Sequence, residues 1–302
     1  TTFCRTMDGS LHAGGRWGIR RLQGTNGTRA FPPPGRNFGE VRKLFAGRDG
    51  AVWAATSWGA LRLKGGQTTL FTGAEVAARL GPDGGGLGAA VHLLPAPVAD
   101  EPRNGSAPPP RRHDLADLGE DPRGRIWLAT VAGEVLSFLP EGAPGGGEWT
   151  LHNEADGLVG GRDPSLLALR DGSVWVTYGA ASGCANIFTN GAWRAVRLED
   201  LGMPGDCGHL IQTRDGAVWF SGRYVVGVYR NGAWRAYQKP EFPIPSARNS
   251  LMESSDGALW IAGPDTEVQR IDHLTARWET LRDLNFQWES PTGAQWFLHR
   301  DG

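Results

Sequence analysis

The sequence predicts an all-β chain folded as a β-propeller of about seven four-stranded blades, with the last blade incomplete at the C-terminus. Two observations support this. A short motif ending in Trp recurs along the chain, and turn-forming dipeptides separate short apolar runs. The 302 residues include 45 Gly, 20 Pro and 13 Trp, and so many large apolar side chains argue against disorder. The Gly and Pro residues therefore indicate many tight turns.

The recurring motif is Asp-Gly-x-apolar-Trp or a close variant, and we call the residue at its Trp position the anchor. The first anchor is a His and the others are Trp, at positions 12, 53, 127, 175, 219, 260 and 296. Successive anchors lie 41, 74, 48, 44, 41 and 36 residues apart. A self-similar period of this length is typical of propellers and solenoids.

Each copy of the motif predicts a hairpin, because the Gly of an Asp-Gly pair accepts the positive φ that a tight turn needs. A second hairpin signal follows in some copies, as at Asn190-Gly191 and Asn231-Gly232. One unit therefore contains four strands, which we name A, B, C and D, with the anchor on strand B. Since one blade cannot bury both of its faces, we expect the Trp anchors to pack between neighbouring blades.

The motif predicts a single domain over residues 1–302. Residues 73–113 are expected to be a long flexible insertion, because the second anchor spacing is 74 residues and the segment is rich in Gly and Pro. Within it, Glu75–Leu80 suggests one or two helical turns and Val91–Leu94 a stray strand. The blades are predicted at residues 1–36, 37–72, 114–152, 163–197, 208–238 and 249–281, followed by a partial blade from about residue 286.

The partial blade contains an anchor but no sequence for strands C and D. Its exposed edge would invite pairing with another strand. We therefore expect either that the protein continues beyond residue 302 or that a protein partner covers this edge.

Composition limits the functions to consider. Lys and Arg number 31 against 32 Asp and Glu, so there is no basic excess for nucleic-acid binding. The sequence contains no run of 18 apolar residues, so it predicts no membrane segment in this chain. The seven His form no HExxH motif, and the chain has no CxxC pair, no Gly-x-Ser-x-Gly elbow and no phosphate loop. The sequence thus predicts no catalytic residue, no metal and no cofactor, and an enzyme is not the favoured interpretation.

Candidate binding residues come from the loops. In this strand order the B–C and D–A connections share one face, and loops on a rigid scaffold often carry binding residues. Aromatic side chains beside Arg and Asn suit a small polar ligand or a glycan fragment. The alternative is that these are ordinary loop residues. The candidates are Trp17, Trp58, Tyr178, Arg223 and Tyr224 in B–C connections, and Asn37, Arg162, His209 and Arg248 in D–A connections.

The three cysteines allow two interpretations. Cys184 and Cys207 are predicted on the same face of adjacent blades, so they either form a disulfide, which would fit an oxidising compartment, or remain two buried thiols. Cys4 is expected to pack as a small apolar residue.

Two stretches resemble the regulator propeller repeat, which occurs in extracytoplasmic sensor regions of bacterial two-component systems. They are Asn153–Leu158 followed by Arg170–Thr177, and Asp121–Thr130. The resemblance implies a periplasmic or secreted protein in signal transduction. Such sensors usually carry two propellers, a membrane helix and a kinase, and none of these follows the repeat here.

Three functions are therefore considered. The first is an extracytoplasmic sensor that binds a small polar ligand or glycan fragment on its loop face. The second is a metal-dependent lyase similar to the streptogramin-inactivating propellers, which would pair His209 with Glu154 or Asp163. The third is a protein-interaction scaffold that uses the loop face or the strand at Gln295–His299.

Overall fold

The described part of the chain consists almost entirely of antiparallel strands. The computed structural model describes residues 2–23, 26–33, 39–80, 89–94, 114–139, 148–180, 183–203, 207–222, 225–238, 242, 244, 250–262, 267–272, 277–289 and 295–299. Within these residues the one α-helix is α1 (Ala74–Leu80), and two short 3-10 turns occupy Glu154–Asp156 and Glu199–Leu201.

The strands form seven sheets in chain order. The first sheet consists of β1 (Thr2–Arg5), β2 (Leu11–Gly15), β3 (Gly18–Gln23) and β4 (Asn26–Phe31). The second consists of β5 (Val41–Ala46), β6 (Val52–Thr56), β7 (Gly59–Lys64), β8 (Gln67–Thr72) and β9 (Ala90–Leu93). The third consists of β10 (Leu115–Glu120), β11 (Ile126–Thr130), β12 (Val135–Phe138) and β13 (Trp149–His152).

The remaining sheets repeat the four-stranded pattern until the last. They are β14 (Arg162–Ala168), β15 (Val174–Ala180), β16 (Cys184–Thr189) and β17 (Ala192–Arg197); β18 (Leu210–Gln212), β19 (Val218–Gly222), β20 (Val225–Arg230) and β21 (Ala233–Gln238); β22 (Ser250–Glu253), β23 (Leu259–Ala262), β24 (Glu267–Asp272) and β25 (Arg277–Arg282); and the pair β26 (Leu284–Glu289) and β27 (Gln295–His299). The predicted units of four strands, with a partial last unit, are confirmed.

The predicted insertion contains regular structure in the part that is described. Strand β9 pairs with β8 in parallel, so the second sheet has five strands. The Leu94 N–H continues this pairing by donating to the Thr72 carbonyl at 2.8 Å. Helix α1 buries Val76. Residues 81–88 and 95–113 of the insertion lie outside the described residues.

The chain packs as two compact units, residues 1–174 and 175–302. In the first unit, one apolar cluster includes Trp53, Ile126 and Phe138, and another includes Ile19, Leu44 and Leu61. The second unit has a cluster of its own around Trp219, Leu251 and Leu259. The single domain over residues 1–302 stays a prediction.

The Trp anchors pack between neighbouring sheets within each unit. Trp53 of the second sheet is 1% exposed and lies in one cluster with Ile126 and Leu128 of the third. Trp219 of the fifth sheet is equally buried against Leu259 of the sixth. Burying a whole aromatic side chain stabilises a fold by about 1.5–3 kcal/mol, so each anchor contributes both to its own sheet and to its neighbour's attachment.

A polar contact recurs where strand A of one sheet meets strand A of the next. The side chain ten residues before one anchor accepts the backbone N–H found nine residues before the following anchor. We call this contact the A-strand latch. Its instances are Thr2 Oγ1 with Leu44 at 3.1 Å, Asp117 Oδ2 with Leu166 at 2.9 Å, and His209 Nδ1 with Leu251 at 3.2 Å.

Asp117 also forms an ion pair with a lysine of the preceding sheet. Its Oδ1 lies 2.5 Å from Lys43 Nζ, and Asp117 is only 6% exposed. Beside it, the Arg42 guanidinium donates to Asp114 at 2.6 Å and to the Leu115 carbonyl at 3.0 Å. Hydrogen bonds to charged groups contribute more than neutral ones, so this junction holds the second and third sheets firmly.

An arginine five residues before the anchor clamps the next sheet at the opposite end of strand A. Arg48 donates through its backbone N–H to Glu120 at 2.8 Å and through its guanidinium to the Pro122 carbonyl at 2.9 Å. Arg214 repeats the arrangement with Glu253 at 2.9 Å and the Ser255 carbonyl at 2.8 Å. The fifth and sixth sheets are thus joined near both ends of strand A by the His209 latch and the Arg214 clamp, and the second and third by the Lys43–Asp117 ion pair and the Arg48 clamp.

The Asp of each Asp-Gly turn has a structural role. Asp49 accepts the Ala51 N–H at 2.9 Å and is bound by Arg62 and Lys64 of strand C at 2.6 and 2.8 Å, while Gly50 has a φ of 79°. Partial burial alone would raise the pKa of Asp49, but these hydrogen bonds outweigh it and lower the pKa to about 2. The carboxylates of these turns are therefore explained by turn geometry.

The A-strand latch predicts a specific loss of stability. Replacing Asp117 with Ala should lower the free energy of unfolding by about 1–3 kcal/mol, because the Leu166 N–H and the Lys43 ammonium lose a buried acceptor. Chemical denaturation would measure the change. The exposed Asp200, changed to Ala, is the control and should shift stability by less than about 0.5 kcal/mol. Equal effects of the two changes would contradict the latch.

The turn carboxylates predict the acid response. The folded pKa of Asp49 and of Asp256 lies near 2, below the ordinary value of 3.8, so both stabilise the fold above pH 4 and this contribution is lost as the pH falls from 4 towards 2. Thermal melts across this range should show a falling melting temperature. The Asp256→Asn variant should show a shallower fall than the wild type, and an unchanged slope would contradict the assignment.

Candidate functional site

The start of strand A and the B–C turn lie at the same edge of each sheet that has strands A, B and C. Antiparallel pairing places Val41 opposite Thr56 in the second sheet and Leu115 opposite Thr130 in the third. We call this edge the B–C edge. Sequence reasoning placed the candidate ligand-binding residues here, and the structure describes five of them.

Two of the candidate tryptophans are linked at the B–C edge of the first two sheets. Trp17 lies in the β2–β3 turn and is 55% exposed. Its neighbour Arg16 has its Nε 3.8 Å from a carboxylate oxygen of Glu40. The Glu40 backbone in turn exchanges hydrogen bonds of 3.1 Å with Ser57, the residue before Trp58. Glu40 therefore connects the turn that carries Trp17 to the turn that carries Trp58.

Trp58 is more firmly built into the fold than the sequence suggested. Its side chain is half-buried and packs against the cluster that contains Ile19 and Val41. The backbone N–H of Trp58 donates to Thr56 Oγ1 at 3.1 Å, and the Thr72 hydroxyl donates to the backbone carbonyl of Trp58. A Cβ at Gly39 would lie 2.7 Å from the indole Cδ1, so only glycine allows the chain to pass so close. Trp58 thus contributes to packing as well as to the edge.

Arg162 and Asp163 are the first two residues of β14, and both side chains are exposed. Asp163 has a positive φ of 53°. The chain entering β14 is tightly packed on the neighbouring β11–β12 turn, because a Cβ at Gly133 would lie 1.8 Å from the Gly161 carbonyl oxygen. Arg162 is therefore held at the B–C edge by backbone contact.

Tyr178 does not lie in a connection, as the sequence had suggested. It belongs to strand β15 and its side chain is fully buried. Burial raises the pKa of its hydroxyl group. The prediction of an accessible loop position is wrong because strand β15 runs two residues past Tyr178 before the chain turns.

His209 lies just before β18, and its side chain is exposed. Its Nδ1 accepts the Leu251 N–H in an A-strand latch, which requires that nitrogen to carry no proton. The backbone of His209 is also fixed, since its carbonyl accepts the Ser221 N–H at 3.0 Å. These contacts give His209 a structural function that the lyase interpretation did not anticipate.

The cysteines are reduced thiols in this structure. Cys184 and Cys207 are both buried and no disulfide joins them. Burial raises the pKa of the Cys184 thiol. Cys4 packs against an apolar cluster as expected, and burial raises its pKa to about 11. Such thiols are poor nucleophiles, because the thiolate is the reactive form.

Metal ligation finds little support among the residues that the structure describes. No group of three or more His, Cys, Asp and Glu side chains there is arranged to hold an ion. Glu154 and Asp156 lie in a 3-10 turn, where Asp156 Oδ2 accepts the Asn153 N–H at 2.9 Å. The capping contact accounts for this carboxylate. In the same described ranges, no helix is long and apolar enough to cross a membrane.

Four candidate residues lie outside the described residues. They are Asn37, Arg223, Tyr224 and Arg248. Sequence reasoning in turn missed Arg16 and Glu40. The charges of Arg16 in the β2–β3 turn and of Glu40 directly before β5 were the available signal, but their ion pair depends on how two sheets meet.

The two described tryptophans of the edge should behave differently when truncated. Trp17→Ala should change the melting temperature little, because more than half of the side chain is already exposed. Trp58→Ala should lower the free energy of unfolding by about 1–3 kcal/mol, because it removes packing from the cluster around Ile19. Denaturant melts of the two variants would measure both values, and an equal effect would contradict the difference in burial.

No protein-family model matches the chain, and no curated protein sequence matches it. Solved structures do match. The extracellular domain of the putative hybrid two-component system BT3049 from B. thetaiotaomicron has 16% identity and a TM-score of 0.65, over 98% of this chain and 37% of that one. The corresponding domain of BT4673 from the same organism has 14% identity and a TM-score of 0.67, over 96% and 37%. This chain therefore spans just over a third of the length of those extracellular-domain chains.

The structure of virginiamycin B lyase from Staphylococcus aureus is similar to that of this chain, with a comparable TM-score. It has 15% identity and a TM-score of 0.66, and the match covers 99% of this chain and 90% of the lyase chain. The WD40 β-propeller domain of Doa1 also matches, with a TM-score of 0.51. These neighbours have different activities but one architecture. Together with the succession of four-stranded antiparallel sheets, they establish that the fold of this chain is the β-propeller.

Proposed function

We propose that this chain is the ligand-recognition domain of an extracytoplasmic bacterial sensor and that it binds a small polar ligand or a glycan fragment at its B–C edge. The observation that carries the proposal is the exposed Trp17 indole beside the Arg16–Glu40 ion pair, with Trp58 on the neighbouring turn. Two of the similar structures are extracellular domains of signalling proteins, which supports the cellular setting.

The chemistry of the edge suits a hydroxylated ring. An exposed indole offers a flat apolar face that can cover the less polar face of a sugar ring. Arg16 and Glu40 supply donors and acceptors for hydroxyl groups next to that face. The carboxylate of Glu40 and the guanidinium of Arg16 neutralise each other, which favours a neutral or weakly charged ligand over a strongly anionic one.

The scaffold fixes the backbone of Glu40 and of strand β5 before a ligand arrives. Glu40 is tied to Ser57 by two hydrogen bonds, and the Leu44 N–H is fixed by Thr2 in an A-strand latch. A pre-organised site loses less conformational entropy on binding. A fixed backbone next to an exposed aromatic side chain is an arrangement that suits a recognition surface.

Binding to immobilised neutral and acidic oligosaccharides would test the proposal. We expect the wild-type chain to bind a subset of neutral glycans and Trp17→Ala to weaken that binding by about tenfold or more. Glu40→Gln should weaken it less, because the amide retains one acceptor. Met7→Ala is the matched control, since Met7 is an exposed apolar residue (83%) in the β1–β2 turn, at the other edge of the same sheet.

Two outcomes would contradict the proposal. One is equal loss of binding in Trp17→Ala and Met7→Ala, which would indicate non-specific adhesion. The other is the absence of binding to any glycan or small polar compound by a chain whose melting transition is intact.

A further inference from the structure

The residue nine positions before the anchor is a buried leucine in every sheet from the second to the sixth. Its exposed fraction is 4% or less in each case, at Leu44, Leu118, Leu166, Leu210 and Leu251. The first sheet has Phe3 at this position, and Phe3 is 56% exposed. A large aromatic side chain is therefore open to solvent where the following sheets have a packed leucine.

This leucine lies on the face of its sheet that contacts the preceding sheet. Leu44 of the second sheet shares an apolar cluster with Ile19 of the first. Leu251 of the sixth sheet shares another with Trp219 of the fifth. The equivalent face of the first sheet, which we call the Phe3 face, has the pattern of a surface that packs against another protein surface.

The register of the first sheet defines the Phe3 face. Phe3 pairs with Ala13, and Ala13 pairs with Arg20, so the three side chains form one row. The residues two positions further along each strand continue the same face. Gly14 points the other way, since a Cβ there would lie 2.6 Å from Val41 of the second sheet. The members of the Phe3 face are thus Phe3, Arg5, Leu11, Ala13, Arg20 and Leu22.

Arg20 stands where other sheets bury an aliphatic side chain on this face. It pairs with the residue that follows the anchor. The residue with the same pairing is Leu61 in the second sheet and Leu136 in the third, and neither is more than 4% exposed. The Arg20 side chain is exposed. The Phe3 face therefore combines apolar side chains with a cation that its counterparts lack.

Arg5 reverses a charge at a second position of this face. Seven residues before the anchor, the third and sixth sheets have Glu120 and Glu253, each of which accepts a backbone N–H of the preceding sheet, at 2.8 and 2.9 Å. Arg5 takes that position in the first sheet, is exposed, and donates through Nε to the Gly9 carbonyl at 3.3 Å. A guanidinium has five N–H donors and no acceptor, so a surface opposite Arg5 must supply acceptors.

The backbone of Phe3 has the position of a latch donor. The N–H groups of Leu44 and Leu251, which have the same position in their sheets, are accepted by Thr2 and His209 of the preceding sheets. Phe3 likewise pairs with the residue after its anchor, so its N–H points away from β2. A carboxylate opposite this strand would accept that N–H as well.

We propose that the Phe3 face is a docking surface for an acidic segment of a partner protein that carries aromatic side chains. An aromatic ring of the partner packs on Phe3 and Ala13, as Trp219 packs on Leu251 between the fifth and sixth sheets.

Charge complementarity selects the partner. Arg5 and Arg20 would lose their hydration beneath a purely apolar surface, and a buried charge without a counterion is costly. Carboxylates of the partner restore the lost hydrogen bonds as charge-assisted ones. The face itself has two arginines and no acidic residue to neutralise them. This inference concerns a protein partner and does not rest on the proposed function.

Fluorescence anisotropy with labelled synthetic peptides would test the docking surface on the full chain. Two peptides share the same alternating Trp and Val residues and differ at the intervening positions, which are Glu in one and Lys in the other. We expect the Glu peptide to bind at least about tenfold more tightly than the Lys peptide. A third peptide, with Glu retained and Trp replaced by Ala, should bind at least about tenfold more weakly than the first.

Charge reversal provides the sharpest variant. Arg5→Glu combined with Arg20→Glu should invert the preference, so that the Lys peptide binds more tightly. The control is Arg194→Glu combined with Arg197→Glu, which changes two exposed arginines of β17 and alters the net charge equally. It should keep the preference for the Glu peptide. If the first double variant does not fold, Arg20→Gln alone should reduce the preference at least about threefold.

The aromatic contact is tested in the same way. Phe3→Ser should weaken binding of the Glu peptide about tenfold with little change in melting temperature, because more than half of the side chain is already exposed. Leu93→Ala is the matched control, since Leu93 is 59% exposed on β9 of the second sheet. It should bind the peptide as the wild type does.

Four results would overturn the proposal. They are equal binding of the Glu and Lys peptides by the folded wild type, a preference for Glu that survives the reversal of Arg5 and Arg20, and equal losses in Phe3→Ser and Leu93→Ala. The fourth is a dimer in sedimentation that Phe3→Ser dissociates, which would assign the face to a second copy of this chain.

Discussion

The burial of an aromatic anchor between neighbouring sheets is the contact on which the rest of this structure depends. A single four-stranded sheet cannot shield both of its faces from water, and the indole on strand B fills the gap to the next sheet. Trp53 and Trp219 each belong to an apolar cluster that includes residues of the following sheet. The motif therefore recurs in the sequence because each sheet needs an aromatic side chain to pack against the next.

Polar contacts give this packing its register. The A-strand latches through Thr2, Asp117 and His209 fix one end of strand A, and the clamps through Arg48 and Arg214 fix the other. Apolar packing alone tolerates small slips, whereas a buried acceptor aligned with one particular N–H does not. At the B–C edge of the first two sheets, the latch from Thr2 to Leu44 and the hydrogen bonds between Glu40 and Ser57 fix the backbone at the start of β5.

The first sheet departs from the pattern of the others, and this departure is informative. His12 replaces the anchor indole, whereas Phe31, which pairs through Ile19 with Gly14, keeps the place that Phe71 has in the second sheet. Replacing large side chains by small ones in a close-packed interior usually destabilises a protein.

The loop candidates illustrate what could be predicted from the sequence and what could not. The four-strand units and their turns were predictable, because Asp-Gly pairs and alternating apolar residues are local signals. The partial burial of Trp58 and the complete burial of Tyr178 were not, because both depend on the exact length of a strand and on what packs against it. His209 resembled a site residue in sequence, yet its partner Leu251 is 42 residues away.

The sequence by itself determined the sheet unit, the number of repeats and the structural role of the turn carboxylates, since each is encoded within about ten consecutive residues. Only the tertiary structure decided which side chains meet across sheets: the link from Trp17 through Glu40 to Trp58, and the latches. The physical reason is that turn and strand signals act between neighbours in the chain. Contacts between sheets instead join residues that are distant in the chain, from 24 positions for Arg16 and Glu40 to 74 for Arg48 and Pro122, and nothing in the local pattern specifies them.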